Sequence, residues 1–184
     1  MRDPVAESTA DETLQPLNDR VEALDGLRIG FYNNAKPAAE PVTDVLQSLL
    51  AERYPNATFE RFHVPARDEE SLRQIGEWAA SETDVCLAII GDCGGCTRAI
   101  ARATNAVEAA GVPAVGLVAD EFGLSFETNA RNEGRRLRHR EVPIRSETTD
   151  LDLIREAVDE TLLDAIETAL TEPLTDEERG TAED

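Results

Sequence analysis

Short apolar runs alternate along this chain with longer stretches whose apolar residues recur every third or fourth position. The runs at 27–33, 58–64, 84–90 and 113–119 predict strands. The third run holds Val85, Cys86, Leu87, Ala88, Ile89 and Ile90 almost without a polar break, as a parallel strand covered on both faces requires. A helix is predicted from Pro41, with Val42, Val45, Leu46, Leu49 and Leu50 on one face. A second is predicted over 68–81, with Leu72, Ile75 and Ala79 inward. A third, over 97–110, turns Ile100, Ala103 and Val107 inward and ends at Gly111, with Pro113 shortly after. A polar helix over 123–136, a short edge strand over 141–144 and one long amphipathic helix over 151–170 complete the pattern. Repeated strand–helix units of this length predict an α/β fold: a doubly wound, mostly parallel sheet of about five strands with helices on both faces. A flavodoxin-like strand order, 2-1-3-4-5, brings the loops after the first and third strands to one crevice at the carboxyl ends of the strands.

Composition sets the surroundings of that crevice. The 184 residues carry 38 acidic and 18 basic side chains, a formal net charge of −20, and Lys36 is the only lysine. Such a surface excludes nucleic acid and anionic membranes as partners, because phosphate contacts need a basic face. Acid-rich, lysine-poor composition with few aromatics fits a halophilic cytoplasm. The N-terminal residues lack the apolar core of a signal peptide, and no run approaches the ~20 apolar residues of a membrane span. A cytoplasmic location is therefore expected. Residues 1–26 and 172–184 are acidic and aperiodic, and predict a flexible arm and tail around a single α/β domain at 27–171.

The candidate chemistry lies in Gly91-Asp92-Cys93-Gly94-Gly95-Cys96-Thr97-Arg98, between a predicted strand and a predicted helix. Two thiols at this spacing can close a small disulfide ring, share a metal, or act as attacking and resolving thiols. In a reducing compartment the last two uses are the commoner. A helix N-terminus stabilises a thiolate, so its pKa is expected below the free value of ~8.5. Gly94 and Gly95 are expected to let the backbone bend tightly and leave the first sulfur open, with Cys93 as nucleophile and Cys96 as resolving thiol. Asp92 either caps the helix or accepts a proton from a thiol. Thr97 reads as a cap or packing residue that also borders the substrate site. Lys36 can lower a thiolate pKa, bind a carboxylate or form a Schiff base, or be a surface lysine without a role. His139, within the basic run 135–140, is expected to face the crevice, where that run holds an anionic group; a solvated helix end is the other reading. Only Cys86, His63 and His139 remain to complete a four-ligand zinc site, so no metal is predicted. No dinucleotide or phosphate loop is present in the sequence, and no cofactor is predicted.

The segments Asn33-Asn34-Ala35-Lys36-Pro37 and Asp84-Val-Cys-Leu-Ala-Ile-Ile-Gly-Asp-Cys-Gly-Gly-Cys-Thr97 resemble the UGSC family. So do Val107-Glu-Ala-Ala-Gly-Val-Pro-Ala-Val115 and Asp120-Glu121-Phe122. A more distant likeness runs to the selenoprotein B subunits of glycine and betaine reductases. The resemblance covers residues 27–170 and implies that Cys93 matches the selenocysteine position, Cys96 its partner cysteine, and Lys36 the lysine of an Asn-x-Lys-Pro segment. Gly95 departs from the family's serine, and Arg98 stands where tryptophan is frequent. The family's His-Pro segment is missing around Arg138-His139-Arg140-Glu141.

Sequence and resemblance together predict a thiol-redox protein with Cys93, Cys96, Lys36 and Asp92 at its centre. Asn33, Asn34, Thr97, Asp120 and His139 are the expected substrate-binding residues. The expected substrate is a small thiol, disulfide or electrophile, with an electron-donor protein as a further partner. Self-association into a homo-oligomer is left open. The rival readings are a non-catalytic ligand- or metal-binding protein and a subunit of a larger reductase.

Overall fold

The computed structural model describes residues 14–180. Five strands run parallel: β1 (Arg28–Asn33), β2 (Thr58–Phe62), β3 (Val85–Gly91), β4 (Ala114–Ala119) and β5 (His139–Val142), in the order β2-β1-β3-β4-β5. Between and after them lie α1 (Ala39–Arg53), α2 (Glu69–Glu82), α3 (Gly94–Ala109), α4 (Gly123–Asn132), α5 (Leu151–Ala157) and α6 (Glu160–Thr171). This is the doubly wound sheet and strand order that the sequence predicts. Every residue of β3 and β4 is buried, which accounts for their unbroken apolar runs. Val42, Leu46 and Leu50 of α1, with Leu163, Ile166 and Leu170 of α6, pack against Phe31, Ile89 and Leu117 on one face of the sheet. On the other face Ile75, Ile100, Val107 and Phe126, from α2 to α4, meet Tyr32, Cys86, Ala88 and Val118.

Three expectations change. α3 starts at Gly94 rather than at Thr97, so the cysteine pair belongs to the helix's first turn. β5 occupies 139–142, two residues earlier than the predicted edge strand. The expected closing helix is two helices, because Asp159 leaves helical geometry and caps α6 by accepting the Leu162 N–H at 2.9 Å. Ile154 and Leu163 are both fully buried. At 3.6 residues per turn, residues nine apart lie about half a turn out of phase, so one straight helix could not bury both.

The described parts of the expected flexible arm and tail are docked. Residues 14–26 form a strap held by Gln15 N–H to Gly134 O (2.7 Å) and Val21 N–H to Leu170 O (3.1 Å), with Leu17 and Leu24 buried. At its centre the Glu108 carboxylate accepts from Asn18 N–H and Nδ2, Arg20 Nη1 and Ala114 N–H. The tail buries Leu174 and pairs Glu178 with Arg138 at 2.7 Å. Residues 1–13 and 181–184 of the expected arm and tail lie outside the described residues.

Candidate functional site

The buried run of β3 delivers the chain to the carboxyl edge of the sheet, and α3 starts at once. Cys93 is the N-cap, extended at φ −144° and ψ 166°, and its Sγ accepts the Cys96 N–H at 3.1 Å. This satisfies one of the donors left free at a helix start, and would stabilise negative charge on that sulfur. Cys93 and Cys96 are joined as a disulfide across a Cα–Cα distance of 5.1 Å. Cys93 is exposed and Cys96 half-buried. The third cysteine, Cys86, is fully buried in β3, and burial pushes its thiol up to about 12.

The glycine that this geometry needs is not the expected one. Gly94 and Gly95 are helical and exposed, and a Cβ on either meets nothing within 4 Å. A Cβ on Gly91 would sit 2.8 Å from Thr97 Cα, 2.9 Å from Thr97 N and 3.1 Å from Cys96 C. The end of β3 therefore lies directly under the first turn of α3, at the place where the β3–β4 register is irregular.

Asp92 does not cap the helix. Its carboxylate accepts from Ser146 N–H at 2.7 Å and from Ser146 Oγ at 2.6 Å, tying the β3–α3 turn to the loop after β5. A carboxylate oxygen of Asp92 and the two sulfurs lie within 4.8 Å of one another. Ser146 is fully buried and also accepts Ala38 N–H through its carbonyl at 2.9 Å, so it joins three loops of the crevice. Sequence reasoning missed Ser146: it lies 54 residues from Asp92 in a segment with no periodicity or motif.

The other expected residues divide by position. Lys36, in the loop after β1, pairs at 3.2 Å with Glu147, in the segment after β5. Asn34 lies between β1 and β3, its N–H donating to Ile89 O at 2.7 Å. Asp120 is exposed just after β4, with its N–H on Val142 O. Asn33 is buried and occupied internally: its Nδ2 donates to Glu40, its Oδ1 accepts from Thr43 Oγ1, and its carbonyl meets His63 Nδ1. Thr97 is completely buried, and its Oγ1 has no hydrogen-bond partner among the described residues.

His139 and the basic run lie away from the crevice. Because β5 is parallel to its neighbours and starts at His139, the segment before it belongs to the amino edge of the sheet. His139 pairs in register with Gly116 and packs on Phe126, ring centroids 5.0 Å apart, and burial lowers its pKa. Arg138 holds Glu178 and the Ala169 carbonyl, Arg136 pairs with Glu177, and Arg140 donates to Ala165 O. The expected anion site is thus a clamp on α6 and the tail.

The sequence profile of the UGSC family matches residues 1–172. A crystal structure described as an ABC transporter permease from the Pseudomonas fluorescens group is similar at 13% identity, with a TM-score of 0.41, over 86% of this chain and 44% of that one. The chain thus spans less than half of that structure's length. No curated protein matches. The likeness to selenoprotein B subunits is supported by none of these matches. Among the described residues, no helix is long and apolar enough to cross a membrane.

Proposed function

The chain belongs to the UGSC family, and from that premise we propose that Cys93 and Cys96 form a thiol-redox centre cycling between dithiol and disulfide. The observation that carries this reading is the exposed Cys93 Sγ at a helix N-cap, accepting the N–H of the cysteine it pairs with. In the reduced state the Cys93 thiolate attacks one sulfur of a small disulfide. A mixed disulfide forms and one substrate thiolate leaves. Cys96 then attacks Cys93 Sγ, passing its proton to Asp92, and the second substrate half leaves as a thiolate, which takes up that proton, as the Cys93–Cys96 bond closes. Two electrons have moved from the dithiol to the substrate. An electron-donor protein carrying a dithiol, itself oxidised to a disulfide, restores the pair.

Asp92 suits the proton-acceptor role because Ser146 holds it beside both sulfurs. Lys36, Asn34 and Asp120 are assigned to the substrate on the strength of their places at the carboxyl edge. Lys36 offers a cation to an anionic substrate group, since an exposed pair such as Lys36–Glu147 is worth only ~0–1 kcal/mol and exchanges readily.

The test is competitive alkylation of the reduced protein with limiting iodoacetamide near neutral pH, read by mass spectrometry. Cys93 is expected to label first and Cys86 only after unfolding. If Cys93 labels no faster than Cys86, the reading fails.

A further inference from the structure

Breaking the disulfide creates an electrostatic problem that the fold does not solve by itself. In the disulfide form the two sulfurs and an Asp92 carboxylate oxygen lie within 4.8 Å of one another, so reduction would leave two thiols or thiolates beside a carboxyl group. Like charges about 4 Å apart repel, several times more strongly at the effective dielectric of a protein surface than in water. The helix N-terminus offsets only part of that repulsion at an exposed site. A divalent cation placed between the three groups reverses the sign of the whole balance.

We propose that the dithiol form binds one zinc-class divalent cation through Cys93 Sγ, Cys96 Sγ and an Asp92 carboxylate oxygen. Tetrahedral zinc with Zn–S of ~2.3 Å and Zn–O of ~2.0–2.2 Å needs donor separations of roughly 3.5–3.8 Å. Opening the disulfide moves the sulfurs toward that spacing within a cluster already confined to 4.8 Å. Two thiolates favour zinc over harder cations, and a fourth, exposed position is left for water or a ligand. Metal-bound carboxylates need a hydrogen-bonded orientation, and Ser146 supplies it twice, from its N–H and its hydroxyl. Each thiol loses its proton to solvent as the ion binds. The same sulfurs cannot then form the disulfide, so metal-bound and disulfide states exclude each other. Binding requires only the reduced pair and does not depend on redox turnover.

The full-length protein, reduced and freed of metal, is titrated anaerobically with cobalt(II) as a spectroscopic stand-in. One equivalent is expected to bind, with a near-ultraviolet sulfur-to-cobalt charge-transfer band, the visible bands of a four-coordinate ion, and release of a proton from each thiol. Cys93→Ser and Cys96→Ser should each remove most of that band. Ser146→Ala keeps all three donors and should weaken binding by about 10–100-fold. Circular dichroism of the metal-free variants separates loss of fold from loss of donors. No charge-transfer band in the native protein overturns the proposal, as does an affinity unchanged by Asp92→Asn. If Asp92→Asn does not fold, an affinity unchanged by Ser146→Ala is decisive in its place. Cys93 alkylation reads the redox proposal separately, so either idea can fail alone.

Discussion

Gly91→Ala places one methyl group where the fold has no room, and the consequence can be followed to the reactive sulfur. The new Cβ would stand 2.8 Å from Thr97 Cα and 2.9 Å from Thr97 N. The contact optimum between carbons is ~3.5–4.0 Å, so one side must retreat by about 1 Å. Both atoms it meets are backbone, in the helix turn that carries Cys93 and Cys96, and no rotamer change relieves them. Overpacking of this kind costs roughly 1–3 kcal/mol. Gly95→Ala is the matched control: its Cβ meets nothing within 4 Å on an exposed helical position. That change is expected to be neutral, or to stabilise by ~0.4–1 kcal/mol through the unfolded chain. Urea unfolding of the disulfide forms gives the stabilities, and the iodoacetamide rate at Cys93 after reduction reports the turn itself. Gly91→Ala should lower the unfolding midpoint and change that rate, while Gly95→Ala does neither harm. Equal effects from the two variants would refute the claim that the strand end supports the site.

Three further outcomes are expected. Glu108→Ala leaves Arg20, whose side chain is 1% exposed, without its counter-charge, and should cost ~3–5 kcal/mol; hydrogen exchange should show residues 14–26 released, and protection equal to the native protein's contradicts the latch. Arg138 above all, helped by the Thr175 N–H and opposed by burial, holds the Glu178 carboxyl down from 4.5 to about 2. Because the folded pKa is depressed, this contribution is complete above about 4.5 and fades as pH falls toward about 2. Acid titration should undock the tail over that window, and Glu178→Gln should abolish the pH dependence. Cys96→Ser should accumulate a mixed disulfide between Cys93 and a small aromatic disulfide, visible by intact mass, whereas Cys93→Ser should not; the opposite pattern reverses the roles of the two thiols.

The candidate site was legible in proportion to how local its signals are. Cys93 and Cys96 stand out because an apolar strand run, two glycines and a helical period all fall within about twenty residues. Asn34, Lys36 and Asp120 follow from topology, since any parallel sheet in this order collects the loops after β1, β3 and β4 at one edge. Ser146 could not be read, because its partner Asp92 lies 54 residues away and nothing around Ser146 carries a pattern. The basic run around His139 leaves two readings open in the sequence, a crevice anion site and a solvated helix end, since a basic run in an acidic chain shows charge but not position. The run precedes the predicted strand at 141–144 and overlaps the start of β5 at 139–142, so a parallel β5 puts it toward the amino edge in either case.

The sequence by itself determined the alternation of strands and helices, the burial of β3, and the presence of a thiol pair where a strand hands over to a helix. Each follows from residue spacing and side-chain polarity, which act over one turn or one pleat. Only the tertiary structure decided which glycine the helix start rests on, which carboxylate stands beside the sulfurs, and that residues 14–26 are a strap. The carboxylate and the strap depend on atoms 54 and 90 residues apart in the chain, and the glycine on how the end of β3 packs under α3, where close packing discriminates at the level of single methyl groups. No local pattern carries that information.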